Sequence, residues 1–324
     1  MEDHFAQTVS LLASTVRLAV PLVLCALAGL FAERSGVVDI GLEGKMLAGA
    51  FAAACTAYWL QSPWLGLACA VAVGCAFAMA QAFACITHRG NQVVTGMAIN
   101  VLAAGLTVVL AYAWFNEGGN SPALPDALRF RPIELPFAST LAGVPYLGRF
   151  YSGLLSGHNA LVYLTVLLVP AVSFVVFRTR FGLRLRAVGE NPHAVDTAGI
   201  SVAWLRYRAM LACGVLCGTA GAYLAIAQSA SFQREMTAGR GFLALAALIF
   251  GKWMPVPTVL ACLLFAFADA AQGRLQGVSL PWIGVVPIHA IQALPYILTV
   301  LLLAGFVGKA VAPKASGIAY VKEK

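Results

Sequence analysis

The sequence predicts an all-α, polytopic bundle of transmembrane helices, on three observations. Of its 324 residues 60% are hydrophobic and only 10% are charged, whereas an ordinary soluble domain carries about a quarter charged residues. The apolar residues run in blocks close to the ~20 that a helix needs to cross a bilayer. The charges are gathered between those blocks, the arrangement a hydrocarbon solvent selects because an ion at its centre is costly. The net charge of +8 follows from the excess of Lys and Arg in cytoplasmic loops, and no basic aromatic stripe suggests nucleic acid. The expectation is an integral protein of the bacterial inner membrane, folded as a single transmembrane domain over 1–324.

Candidate helices lie at about 8 to 32, 45 to 60, 64 to 86, 91 to 115, 159 to 177, 206 to 229, 241 to 251, 256 to 272 and 286 to 306, giving about 9 to 10 membrane segments. The first follows Met1-Glu2-Asp3-His4, which lacks the basic start of a cleavable signal, so it is expected to be retained. All eight cysteines sit inside apolar stretches as small hydrophobes, which indicates neither a disulfide framework nor a metal site.

The blocks at 45 to 60 and 241 to 251 are short for a crossing. Each follows a glycine-interrupted polar stretch. Glu33 to Lys45 packs five charges and three glycines (Gly36, Gly41, Gly44) between apolar runs, and Thr237-Ala238-Gly239-Arg240-Gly241-Phe242 leads into the second. Such pairs suit either plain polar turns or the broken helices of an internal inverted repeat.

Orientation comes from the loops. The stretch 178 to 208 holds Arg178, Arg180, Arg184, Arg186, Arg206 and Arg208, while 116 to 157 balances three bases against three acids and is rich in Pro and Gly. The first is therefore expected in the cytoplasm and the second outside. Lys309, Lys314, Lys322 and Lys324 place the C-terminus in the cytoplasm as well.

Polar side chains within apolar runs ask for a partner or a wet path. Gln81, Asn100, Gln228 and Asp269 stand out, with interhelical hydrogen bonding the simpler role for Gln81 and Gln228. Arg17, inside the first run, snorkels or pairs with an acid and receives no function. Within 178 to 208, Asn191 can cap, Pro192 suits a first turn, Ala194 to Ala198 can form a turn or two, and Gly199 can end it. A short cytoplasmic helix results, lying on lipid or seated in a partner's groove.

Two of these stretches carry a family resemblance. Glu33-Arg34-Ser35-Gly36-Val37-Val38-Asp39-Ile40-Gly41-Leu42-Glu43-Gly44 and Gly189-Glu190-Asn191-Pro192-His193-Ala194 resemble segments of the permease subunits of ABC importers in the branched-chain amino acid, simple-sugar and nucleoside group. The resemblance spans nearly the whole chain, and Glu43-Gly44 looks most like the nucleoside branch. It implies a subunit that moves a small polar solute, a nucleoside first and a simple sugar second, by alternating access. It implies coupling to an ATPase through Gly189, Glu190, Asn191, Pro192, His193, Ala194, Asp196 and Gly199. The solute path would involve Asp39, Gly41, Glu43, Asn100, Gln228, Phe242 and Asp269. The implied partners are an ATP-binding subunit, a second and different permease chain, an extracytoplasmic binding protein or lipoprotein, and membrane lipid. No cofactor is expected on this chain, with ATP and Mg held by the ATPase.

The residues agree that ATP binds elsewhere. Gly44-Lys45, Gly251-Lys252 and Gly308-Lys309 are followed by Met, Trp and Ala rather than the Ser or Thr of a phosphate-binding loop. An ion-coupled secondary transporter would need ionisable groups at mid-membrane, for which only Asp269 is a clear candidate. A membrane-embedded enzyme ranks last, because His4, His88, His158, His193 and His289 lie in separate segments with no metal spacing.

Overall fold

The computed structural model describes residues 2–136, 147–275 and 311–322, with short pieces between 279 and 297. The candidate helix at 286 to 306, Lys309 and Lys324 lie outside the described residues. Among the described residues eleven α-helices follow in order: α1 Glu2–Arg34, α2 Leu42–Leu60, α3 Pro63–Ala82, α4 Gln92–Phe115, α5 Leu147–Phe150, α6 Ala160–Arg178, α7 Arg180–Glu190, α8 Pro192–Thr197, α9 Val202–Tyr223, α10 Arg240–Phe250 and α11 Pro255–Leu275. Helices α3, α5 and α9 each run on into one wide turn, at Phe83–Thr87, Tyr151–Leu155 and Leu224–Gln228. Two small antiparallel pairs complete the described chain: β1 Pro132–Ile133 with β2 His158–Asn159, and β3 Ser279–Leu280 with β4 Gly284–Val285.

The blocks read from the sequence match these helices within a few residues. Among the described residues six helices are long and apolar enough to cross a membrane: α1, α3, α4, α6, α9 and α11, the third and ninth with their wide turns. The short blocks are α2 and α10, and α2 shows why it looked short. It is buried on every side from Gly44 to Cys55, enclosed by α1, α3, α4, α9 and α10. It is the centre of the bundle, so its first turn can hold Glu43 and Lys45 away from lipid.

Close approach around α2 depends on small residues. Gly66, Ala70, Gly74, Ala78 and Ala82 form one buried stripe on α3, the spacing of a helix face. A Cβ added at Gly218 of α9 would lie 2.4 Å from the Ala70 carbonyl oxygen, and one at Gly221 would lie 2.2 Å from that of Met46. Helices pack in lipid by this backbone proximity, since lipid offers no hydrophobic drive for them to associate. The outer face of α4 shows the other half of the pattern, exposing Val94, Val101, Leu102, Val109 and Tyr112 as a lipid-facing surface.

The two polar ends of the molecule lie at opposite ends of α6. Asn159 caps its start, accepting from Val162 N at 3.1 Å, and Arg178 closes it. At the first end the segment after α4 runs beside residues 226–232, donating Ser121 N to Phe232 O, Leu124 N to Ala230 O and Phe130 N to Ile226 O. At the second end α7 and α8 stack on the start of α9.

The arginine-rich stretch is more helical than its composition suggested. Arg178 ends α6, Arg206 and Arg208 lie in α9, and Arg180, Arg184 and Arg186 belong to α7, whose buried face is Gly182, Leu185, Val188 and Gly189. Helix α9 begins at Val202 rather than near 206, with Ser201 Oγ accepting from Trp204 N. Arg206, expected in a loop, is therefore inside a helix and fully buried.

Candidate functional site

The glycine-broken stretch between α1 and α2 ties together parts of the chain that are far apart in sequence. Glu33 accepts a hydrogen bond from Trp253 Nε1, and Arg34 donates Nε and Nη2 to the Trp253 carbonyl at 3.0 and 2.7 Å. These hold the turn between α10 and α11, where Lys252 and Trp253 adopt φ of +52° and +54°. Such left-handed geometry costs a residue with a side chain and persists only when its surroundings fix it.

Further along, Asp39 and Lys45 form a fully buried ion pair at 2.5 Å, and Cys213 Sγ donates to the same Asp39 oxygen at 3.0 Å. Asp39 Oδ1 also accepts from Gly41 N. Asn100 accepts from Gly44 N at 2.8 Å and donates to Ile40 O at 3.0 Å. Glu43 reaches across to the other glycine-broken stretch, accepting from Gly239 N at 2.8 Å and from Gly241 N at 2.5 Å. The two interruptions read separately in the sequence thus meet at the start of α10. Asp39, Gly41, Glu43 and Asn100 bond to the chain itself at this junction. Phe242, next to it, is exposed, and Asp269 is half-buried on α11 with no hydrogen bond or ion pair among the described residues.

At the α7–α8 end the sequence reading of the cap is met in detail. Asn191 Oδ1 accepts from Ala194 N at 3.1 Å, Pro192 begins the helix, and Gly199 follows at φ +77°. Gly189 has no space for a side chain: a Cβ there would sit 2.4 Å from Arg34 O. Its own carbonyl accepts from Ala315 N at 2.8 Å. The C-terminal stretch thereby forms a strap across this end, since Gly317 N donates to Gly36 O and Arg206 donates to both Ser35 O and Ile318 O. Tyr320 packs against the Val188, Val195, Val202 and Leu205 cluster, its ring 5.4 Å from that of His193. Glu190, Asn191, His193 and Ala194 face outward, while Pro192 is buried and Asp196 half-buried. No local sequence signal links Arg206 or the strap to this unit, because each contact spans at least 112 residues.

A cavity of about 1120 Å³ opens at the other end, beside the segment 126–134. Gln228, at the end of the wide turn after α9, lines it together with Arg17, Arg129, His158, Asn159 and Tyr223. The β1–β2 pair carries His158 to this wall. Tyr223 donates its hydroxyl to the Arg17 carbonyl at 2.9 Å, which fixes that turn of α1. Of the expected solute-path residues Gln228 lines this cavity, whereas the others named above do not. Both amide atoms of Gln81 and Oε1 of Gln228 are buried without a partner among the described residues.

Comparison with known proteins agrees with this layout. A family model described as a branched-chain amino acid transport system permease component matches residues 11–307. The chain is 39% identical to the guanosine ABC transporter permease protein NupQ of Bacillus subtilis, covering 96% of each chain. It is 36% identical to the nucleoside ABC transporter permease protein NupC of Lactococcus lactis, covering 94% of each. The putative glucose ABC transporter permease protein TsgC13 of Haloferax volcanii is 35% identical over 83% of this chain and 79% of its own. With a central buried helix, six membrane-length helices among the described residues and a match over nearly its full length, the chain belongs to the permease family of branched-chain amino acid type transport systems, as a multi-pass membrane transport protein rather than an enzyme.

Proposed function

We propose that this chain is the membrane-spanning permease subunit of an ATP-binding-cassette importer that carries a nucleoside into the cytoplasm. The observation that carries the coupling half of this reading is the α7–α8 unit. It is seated on three sides, against the end of α1, the start of α9 and the C-terminal strap, yet it turns Glu190, Asn191, His193 and Ala194 outward. A rigid, outward-facing helix is the form that transmits a partner's movement into the bundle. The nucleoside half rests on two relatives, 39% and 36% identical, which are named for guanosine and nucleoside transport.

In this reading the partners are a separate ATP-binding subunit, which holds ATP and Mg, a second permease chain of different sequence, and an extracytoplasmic binding protein or lipoprotein. The complex sits in lipid of the bacterial inner membrane. The α7–α8 end faces the cytoplasm, and so does the strap bonded to it, while the cavity beside 126–134 faces outside. The arginines of α7 agree with that orientation. Gly189 to Gly199 couple to the ATPase, and Gln228 lies on the solute path.

Uptake of radiolabelled guanosine, adenosine and glucose by cells with and without the gene tests both halves. Loss of nucleoside uptake in the deletion, and in Glu190→Ala with the protein still in the membrane, is the expected result. Uptake unchanged by Glu190→Ala would sink the coupling role, and loss of glucose uptake alone would move the substrate to the sugar reading that the Haloferax relative favours.

A further inference from the structure

The outer cavity holds an unusual set of unused polar groups. Arg17 lies in the middle of the apolar helix α1, exposed into the cavity, and its guanidinium makes no hydrogen bond or ion pair among the described residues. His158 is only 4% exposed. Its Nε2 faces the Leu154 carbonyl at 3.0 Å, which requires the proton on Nε2 and leaves Nδ1 an acceptor. That Nδ1 has no partner among the described residues, nor do Gln228 Oε1 and Arg129 Nε.

Buried polar atoms without partners cost free energy in proportion to their desolvation, and a cation inside a membrane helix is kept where it faces water or a partner. The same cavity therefore presents both guanidinium donors and two buried acceptors, His158 Nδ1 and Gln228 Oε1. Its volume of about 1120 Å³ is ample for a small ligand, since ligand pockets run from ~300 to ~1,000 Å³.

We propose that this cavity is a recognition site for the base of a 6-oxopurine nucleoside, with Arg17 donating to the O6 and N7 acceptors and Gln228 and His158 accepting from the ring N–H and amino donors. The inference rests on the nucleoside reading above and deepens it. A guanidinium matches adjacent O6 and N7 acceptors in a bidentate way, and that pairing discriminates against a base carrying an amino group at that position. A second contribution comes from what the pocket does to a wrong ligand: an adenine would leave its amino group facing the Arg17 donors. Discrimination by unpaired buried polar groups is stronger than discrimination by shape alone.

The test uses the whole transporter in cells. KM for uptake of guanosine, inosine and adenosine is measured in wild type and in Arg17→Gln, with the amount of protein in the membrane followed by immunoblot. The expected result is a rise of about tenfold in KM for guanosine and inosine with a much smaller change for adenosine. Equal changes for all three, or none, would overturn the site while leaving the nucleoside reading standing. Absence of any nucleoside uptake in wild type would overturn the nucleoside reading itself and this ligand with it. Should Arg17→Gln fail to reach the membrane, Ser14→Cys, one turn away on the cavity wall, supplies the second readout. Its labelling by an impermeant thiol reagent should be slowed by guanosine and not by ribose, and labelling indifferent to guanosine would overturn the proposal.

Discussion

The carboxylate of Glu43, in the first turn of α2, caps the first turn of α10 by accepting from the backbone N–H groups of Gly239 and Gly241. The first N–H groups of a helix have no partner within it, and a carboxylate there also meets the positive end of the helix dipole. Gly241 is the residue that allows this, since a Cβ on it would lie 2.6 Å from Glu43 N. Replacing Glu43 by Ala is expected to cost about 1.5–3 kcal/mol, the range for hydrogen bonds to a charged group. Thermal unfolding of the purified protein in detergent measures it, with Glu43→Gln, which keeps one acceptor, falling between Ala and wild type. A melting temperature unaltered by both changes would show that the cap contributes nothing.

The buried pair of Asp39 and Lys45 predicts a coupling between two substitutions. Lys45→Met alone leaves a carboxylate buried without its cation, and Asp39→Asn alone leaves the ammonium. Each should destabilise by about 3–5 kcal/mol, whereas the double variant should recover a large part of that loss because a buried pair gives little net stability over neutral groups. A double-mutant cycle on unfolding midpoints reads the coupling. Additive losses would show that the two charges do not depend on each other.

Arg206 is the anchor of the C-terminal strap, donating to Ser35 O and Ile318 O from inside α9. Arg206→Met keeps the apolar stem and removes the donors, so the expected effect is release of residues 311–322 rather than collapse of the bundle. Limited trypsin digestion at Lys314 and Lys322 should then speed up several-fold, with α9 intact by cysteine accessibility at Cys213. Unchanged cleavage would place the strap's hold in Gly189 and Tyr320 instead.

Burial lowers the proton affinity of His158, the Leu154 carbonyl opposes this, and nearby Arg17 adds to the lowering. The folded protein therefore resists a proton that the unfolded chain takes up near the ordinary histidine value of about 6.5. Because the unfolded state binds more protons there, stability is full above that value and falls as the pH drops below it. His158→Gln should make the melting temperature less dependent on pH between about 5 and 7. An identical pH dependence in the variant would assign it to other groups.

Much of the architecture was legible in the sequence because its solvent is simple. Hydrocarbon demands apolar runs of fixed length, so the positions of α1, α3, α4, α6, α9 and α11 follow from where Leu, Val, Ala and Phe accumulate. The cap at Asn191 and the stop at Gly199 were legible for a related reason, since they are local: a side chain within three residues of the N–H it accepts from, and a backbone angle only glycine adopts freely. Even the two glycine-broken stretches were visible as interruptions of a regular pattern.

The sequence by itself thus determined the membrane class, the helix positions, the local caps and, through its two motifs, the family. Only the tertiary structure decided what the polar residues do. Glu43 as a cap on α10, Cys213 as a second donor to Asp39, Arg206 as the anchor of the strap and Arg17 beside His158 and Gln228 all depend on contacts between residues distant in the chain. The physical reason is one of range. Helix formation in lipid is settled by each segment's own hydrogen bonds and hydrophobicity, whereas a buried polar atom is settled by whichever distant group arrives beside it when the helices pack.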